Sequence, residues 1–198
     1  MRETLNLDAK TLLGQRVTLR KLDQSAIPDM YEYGSMEEFY KNLDARPFEK
    51  YEDAVNYFNR LMDLVAKGSL YWSIEFNEHK KVIGTGGVRN INIDERKGEC
   101  TLGISPLYHK YGLAVETFYL IHDYCFNVLG LDEIYGIVSS QNLSSIKMLD
   151  RLGYIRINTL PNYFKKLDGT PYDAYHHIIT PDLFNNNTQL KEFIKNKI

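Results

Sequence analysis

Only two of the 198 residues are cysteine and one is tryptophan, and neither cysteine sits in a Cys/His cluster with ligand spacing. A disulfide framework and a zinc or iron–sulfur site therefore have no support, and no metal is expected. Charge of one sign is also missing. With 24 Lys and Arg against 26 Asp and Glu, the formal net charge is −2, and no run of like charge forms a tail. That balance gives no footprint for nucleic acid or an anionic membrane. No stretch reaches the ~20 apolar residues a membrane span needs, and the polar start Met-Arg-Glu-Thr-Leu-Asn lacks the apolar region of a signal peptide. The expected location is cytoplasmic. Repeats and low-complexity blocks are absent too, so nothing divides the chain.

Aromatic residues, in contrast, are abundant, with 15 Tyr and 9 Phe. Taken in order, Arg16–Leu22 alternates as a strand, and 23–34 reads as a short helix. The segment 35–48 has no period and suggests a loop or flap. Ala54, Phe58, Leu61 and Val65 form a helical stripe over 50–67, closed by Gly68. Strands follow around Trp72–Phe76, over 81–89 and from Gly98 to Ser105, as an antiparallel meander. In the last, Cys100, Leu102 and Ile104 alternate with Thr101, Gly103 and Ser105 until Pro106 stops the ladder. After the loop 107–112, Ala114, Phe118, Ile121, Cys125 and Leu129 fall at helical spacing up to Gly130. A strand at 133–138, a helix from the N-cap Asn142 to Gly153, and strands at 154–158 and 172–180 complete the pattern. The remainder after Pro181 reads as a loosely attached helical tail.

The strand–loop–helix unit around Gly112 aims the unpaired backbone N–H groups of residues 110–115 at one point, which suits a diphosphate. It is not G-x-x-x-x-G-K-[ST], which excludes a nucleoside triphosphatase loop. The run His109-Lys110-Tyr111-Gly112-Leu113-Ala114 resembles the [Q/R]-x-x-G-x-[G/A] acyl-CoA signature of the GNAT superfamily of N-acetyltransferases, with His109 standing where Gln or Arg is usual. The element order over roughly 14–180 is similar to the GNAT fold, an α/β (α+β) mixed, mostly antiparallel sheet of about seven strands with helices on both faces. Asn142-Leu-Ser-Ser145 followed by Leu152-Gly153-Tyr154 looks like the ribosomal-protein N-terminal acetyltransferase (RimJ/RimL-like) branch, as does Asp168-Gly169 before Tyr172-Asp-Ala-Tyr175.

What the resemblance implies is one acetyltransferase domain over 1–180, with 181–198 as a helical tail, and acetyl-CoA as co-substrate. It also implies that the backbone N–H of Ile104 polarises the acetyl carbonyl and that Asn142 bonds the pantetheine arm in addition to capping its helix. Glu99 matches by position the glutamate that relatives use as base, and a half-buried setting would raise its pKa towards the working range. His176 and His177 are reserves. Being adjacent on a strand, they point to opposite faces. Many members place a tyrosine as general acid four residues before the helix-ending glycine, where this chain has Leu149. Ser145 matches the serine that bonds the sulfur in the ribosomal-protein branch, with Tyr154 or Tyr163 as substitutes. Tyr40, Arg89 and Tyr163 are the candidate acceptor contacts, since rings suit stacking and arginine suits phosphate. The expected acceptor is a small-molecule amine, most naturally a nucleotide-linked amino sugar, acting on a monomer or homodimer. The alternatives are a protein N-terminus as acceptor and a non-catalytic acyl-CoA-binding module.

Overall fold

In the computed structural model, residues 7–41, 45–109 and 111–196 are described. Eight strands form one sheet: β1 (Leu12–Leu13), β2 (Val17–Lys21), β3 (Leu70–Phe76), β4 (Lys81–Asn92), β5 (Lys97–Ile104), β6 (Glu133–Ser139), β7 (Ile155–Lys165) and β8 (Pro171–Ile179). Their order is β1-β2-β3-β4-β5-β6-β8-β7. Every pairing is antiparallel except β5 with β6. The two-residue β1 lies ahead of the first strand read in the sequence, and brings the strands to eight rather than about seven.

Seven helices join them: α1 (Ile27–Gly34), α2 (Glu37–Tyr40), α3 (Tyr51–Ala66), α4 (Leu113–Asp123), α5 (Leu143–Leu152), α6 (Pro181–Asn185) and α7 (Thr188–Asn196). Alternation along the strands sends side chains into two separate cores. On β4, Ile83 enters a large cluster with Trp72, Phe118, Ile121 and Ile134. Its neighbour Val82 enters a smaller one built from Met30, Tyr33, Ala54 and Phe58 of α1 and α3. Gly84 permits the tight β4–β5 approach, because a Cβ there would lie 2.1 Å from the Gly103 carbonyl oxygen.

Three segments depart from the pattern read in the sequence. The helix expected to run unbroken to residue 129 leaves α geometry after Asp123 and continues as a π-turn over Tyr124–Val128. The wider turn buries the consecutive side chains of Tyr124, Cys125 and Phe126 together, which a 3.6-residue period does not do. β7 runs well past residue 158. The tail is helical but not loosely attached: Phe184 and Leu190 are 3% and 1% exposed. Asn187 caps α7 by accepting from the Leu190 N–H at 2.9 Å, and its amide donates to the Arg151 carbonyl at 3.1 Å.

Candidate active site

The sheet splits where β5 meets β6. These strands pair only at Lys97–Glu133, Gly98–Ile134 and Glu99–Tyr135. Beyond Glu99 they diverge, and β6 continues its ladder with β8 as far as Ser139. On the other side β5 stays paired with β4, the Ser105 N–H donating to the Ile83 carbonyl at 2.7 Å. Strand alternation then turns the N–H groups of Leu102 and Ile104 away from β4, into the split.

Two adjoining cavities occupy this split and share Leu102, Asn142, Ser145 and Met148. The larger, about 570 Å³, reaches Ile104, His109 and the start of α4 at Gly112, Leu113 and Ala114. The smaller, about 300 Å³, reaches Arg89, Glu99, Thr101, Phe164 and Tyr172. Side chains on β5 divide accordingly. Cys100, Leu102 and Ile104 pack on the α4 face. Glu99, Thr101 and Gly103 lie on the opposite face, where Phe39 of α2 covers Gly103.

Gly112 caps α4 with φ +78, a left-handed conformation that favours glycine. Its loop is tied down from two sides. The His109 Nε2–H donates to the Ile104 carbonyl at 3.0 Å, joining the loop to the strand end. Arg16 Nη1 donates to the Tyr111 carbonyl at 2.7 Å, and Arg16 is itself held by the buried carboxylate of Glu116 in the first turn of α4. The Glu116 Oε1 also accepts from the Arg16 N–H at 2.9 Å. Lys110 lies outside the described residues.

Glu99 is 7% exposed and lies across from Arg89 on β4. Its Oε2 accepts from Arg89 Nε at 3.1 Å and Asn90 Nδ2 at 2.9 Å, and its Oε1 accepts from Arg89 Nη2 at 2.7 Å. The carboxylate is therefore oriented rigidly, with one acceptor position left on Oε1. Donating hydrogen bonds to the Glu99 carboxylate raises the pKa of Arg89, keeping the guanidinium charged. Asn142 caps α5, its Oδ1 accepting from the Ser145 N–H at 3.1 Å and the Ser144 hydroxyl at 2.8 Å. Its side-chain amide and the Ser145 hydroxyl remain at the junction of the two cavities.

Several candidates stand elsewhere. Tyr40 lines neither cavity and packs on Phe39 and Phe48, with burial pushing its phenol up to about 12. Tyr163 is half exposed on the edge strand β7 and touches the site only through Phe164, edge to face at 5.0 Å. Tyr111 is 62% exposed and contributes its carbonyl rather than its ring. Tyr154 lines the smaller cavity, but its hydroxyl is bonded to His122 Nε2. The other nitrogen of that imidazole donates to the Phe118 carbonyl, so Nε2 is the acceptor and Tyr154 the donor. Burial holds His122 down at about 4 and Tyr154 well above the ordinary phenol value. His177 is 1% exposed and faces α5, where Asp150 acts on it, whereas His176 packs against Tyr135 across from β6. Both thiols are raised by burial, as expected of core residues.

Missed in the sequence were Lys147 and Arg151, whose i+3 and i+7 spacing after Ser144 puts them on the face of α5 that lines the larger cavity. Phe193 of α7 was also missed, since no motif marks the tail. Among the described residues, no group of three or more His, Cys, Asp or Glu is placed to hold a metal, and no helix is long and apolar enough to cross a membrane.

A divided sheet with backbone donors in the gap and a helix start at its mouth is the geometry of an acyl-group transferase. Residues 16–155 match the family description "Acetyltransferase (GNAT) domain", and the chain belongs to that family of N-acetyltransferases. It is 29% identical over 167 residues to the uncharacterized N-acetyltransferase p20 of Bacillus licheniformis, covering 84% of this chain and 93% of that one. The fold is shared with a GCN5-related N-acetyltransferase from Brucella melitensis (TM-score 0.85, 17% identity, covering 94% of this chain and 86% of that one). It is also shared with the spermidine N-acetyltransferase of Vibrio cholerae crystallised with CoA and spermine (TM-score 0.74, 20% identity, covering 86% and 99%).

Proposed function

We propose that the chain transfers acetyl from acetyl-CoA directly to the primary amine of a small molecule while both are bound. The observation that carries this is the gap between β5 and β6, with the Ile104 N–H directed into it and the Gly112 loop at its mouth. A thioester donor supplies the activated acyl group. The amides of the Gly112 loop and the first turn of α4 would hold its diphosphate. The Ile104 N–H would polarise its carbonyl, and Asn142 and Ser145 would face its pantetheine arm and sulfur. Glu99, reached from the smaller cavity, would take the amine proton directly or through a water at the acceptor position left on Oε1.

Arg89 in the smaller cavity suits an acceptor bearing phosphate, such as a nucleotide-linked amino sugar. Arg89 offsets Glu99 in the smaller cavity, leaving it no net acidity for a polyamine. A protein N-terminus is the second reading, favoured by the Asn142–Ser145 motif. The test is thiol release from acetyl-CoA over a panel of nucleoside-diphosphate amino sugars, spermidine and N-terminal peptides. Turnover with an amino sugar is expected. Turnover with peptides alone would move the acceptor to protein, and acetyl-CoA binding without release for any acceptor would make the chain a binding module. Glu99→Gln should lower the rate about 100-fold and alter its pH profile while leaving the Kd for CoA unchanged. An unaltered profile would remove Glu99 from the chemistry.

A further inference from the structure

Arg89 and Glu99 are the only charged side chains among the described residues that line the smaller cavity. They are unequal partners. The Glu99 side chain is 9% exposed and that of Arg89 42%, so the carboxylate is the fixed member and the guanidinium the movable one. Glu99 also has a second tether. Asn90 sits at φ +52, within the irregularity between Arg89 and Asn92, and its amide reaches the same carboxylate as Arg89 does. Neighbours on a regular strand point to opposite faces, so this distortion is what brings both donors to Glu99. With Arg89 withdrawn, Asn90 still holds Oε2, and Oε1 is left without a donor among the described residues. While the pair is closed it opposes the reaction. An ammonium bound for Oε1 must come alongside Arg89 Nη2, which lies 2.7 Å from that oxygen, and like charges repel. An oxyanion on the same molecule reverses this, because a guanidinium takes phosphate or carboxylate in the same forked way that it takes Glu99.

We propose that the acceptor carries an oxyanion, phosphate or carboxylate, beside its amine, and that this oxyanion draws Arg89 off Glu99 and so opens the carboxylate to the amine. This rests on the reading of Glu99 as the base of an N-acetyltransferase. A plain amine finds the carboxylate occupied, whereas an amine bearing the anion frees it by binding. Asn90 keeps the freed carboxylate in place. Phe164 and Tyr172, their rings stacked at 5.6 Å, add no competing charge to the same lining.

Thiol release from acetyl-CoA by the full chain tests this, with glucosamine and glucosamine 6-phosphate as acceptors and inorganic phosphate or acetate added separately. Glucosamine 6-phosphate should exceed glucosamine in kcat/KM by about tenfold or more, the worth of hydrogen bonds to a charged group. Added phosphate or acetate should raise kcat for glucosamine, since a detached anion displaces Arg89 as an attached one does. The more effective of the two anions identifies the oxyanion. Arg89→Ala should bring the two acceptors within about twofold of each other and abolish the activation, with the Kd for CoA reporting that the fold is intact. Arg89→Lys keeps the charge without the fork and decides the case should Arg89→Ala fail to fold: its preference for the phosphorylated sugar should shrink. Equal kcat/KM for the two acceptors in the unaltered chain would overturn the proposal. So would a preference undiminished in these variants, or a free anion that fails to activate. Loss of turnover in Glu99→Gln under the same conditions would then leave the transferase reading standing without it. Turnover of neither sugar would overturn this inference, and turnover of no acceptor in the wider panel would overturn the transferase reading as well.

Discussion

Acidification from pH 7 to pH 5 should cost the fold about 2 kcal/mol through His122 alone. The imidazole is 1% exposed and enclosed by Phe118, Phe126, Tyr154 and Phe184, with no carboxylate among these contacts to stabilise a cation. Burial lowers its pKa from 6.5 to about 4. The unfolded chain therefore binds a proton that the folded chain refuses. Stability is complete above pH 6.5 and falls as the pH drops towards 4, by about 3 kcal/mol over the whole window. Roughly two thirds of that loss is reached by pH 5, where the unfolded imidazole is almost fully charged. Urea unfolding at pH 7, 6 and 5 measures it, with His122→Phe as the reference. That variant removes the imidazole partner of the Tyr154 hydroxyl and starts less stable, so the comparison is of slopes, not absolute values. His177, also lowered by burial, titrates in both proteins and cancels. Equal slopes for the two proteins would refute the assignment.

Two further substitutions probe the scaffold of the site. Gly112→Val forces a β-branched residue into a left-handed conformation, costing roughly 1–2 kcal/mol, and drives its side chain into Phe193. CoA affinity should fall more than tenfold by calorimetry, and an unchanged Kd would separate the loop from donor binding. Glu116→Ala strips the acceptor from the Arg16 N–H and Nε–H, leaving a largely buried guanidinium uncompensated. Urea unfolding should register a loss of roughly 3–5 kcal/mol, and a loss under about 1 kcal/mol would show that water replaces the carboxylate there.

The long helices α3 and α4, the stop at Pro106, the glycine loop at 112 and the caps Asn142 and Gly153 were legible because each is a local signal. Strand length was not. The strand read as 154–158 runs on to Lys165 through Pro161 and Asn162, because β7 is an edge strand. It absorbs them in an irregularity between Leu160 and Phe164, with Asn162 at φ +54 and no ladder bond needed on the outer side. Within the site, Glu99 and Arg89 were each singled out, but for different tasks. Their pairing depends on the register of β4 against β5, and a one-residue slip would have sent them to opposite faces. Phe193 was beyond reach for another reason. It meets Gly112 only through the docking of α7 on α5, a contact between segments far apart in the chain.

The parting of β5 from β6 creates a sheet edge inside the molecule instead of at its rim. Exposed edges invite other chains to add on and aggregate. Here the unpaired amides of Leu102 and Ile104 are flanked by α4 on one side and by Phe39 and the β7–β8 hairpin on the other. Such an inner edge suits a slender, extended molecule with carbonyls of its own, which can lie along it as a temporary extra strand.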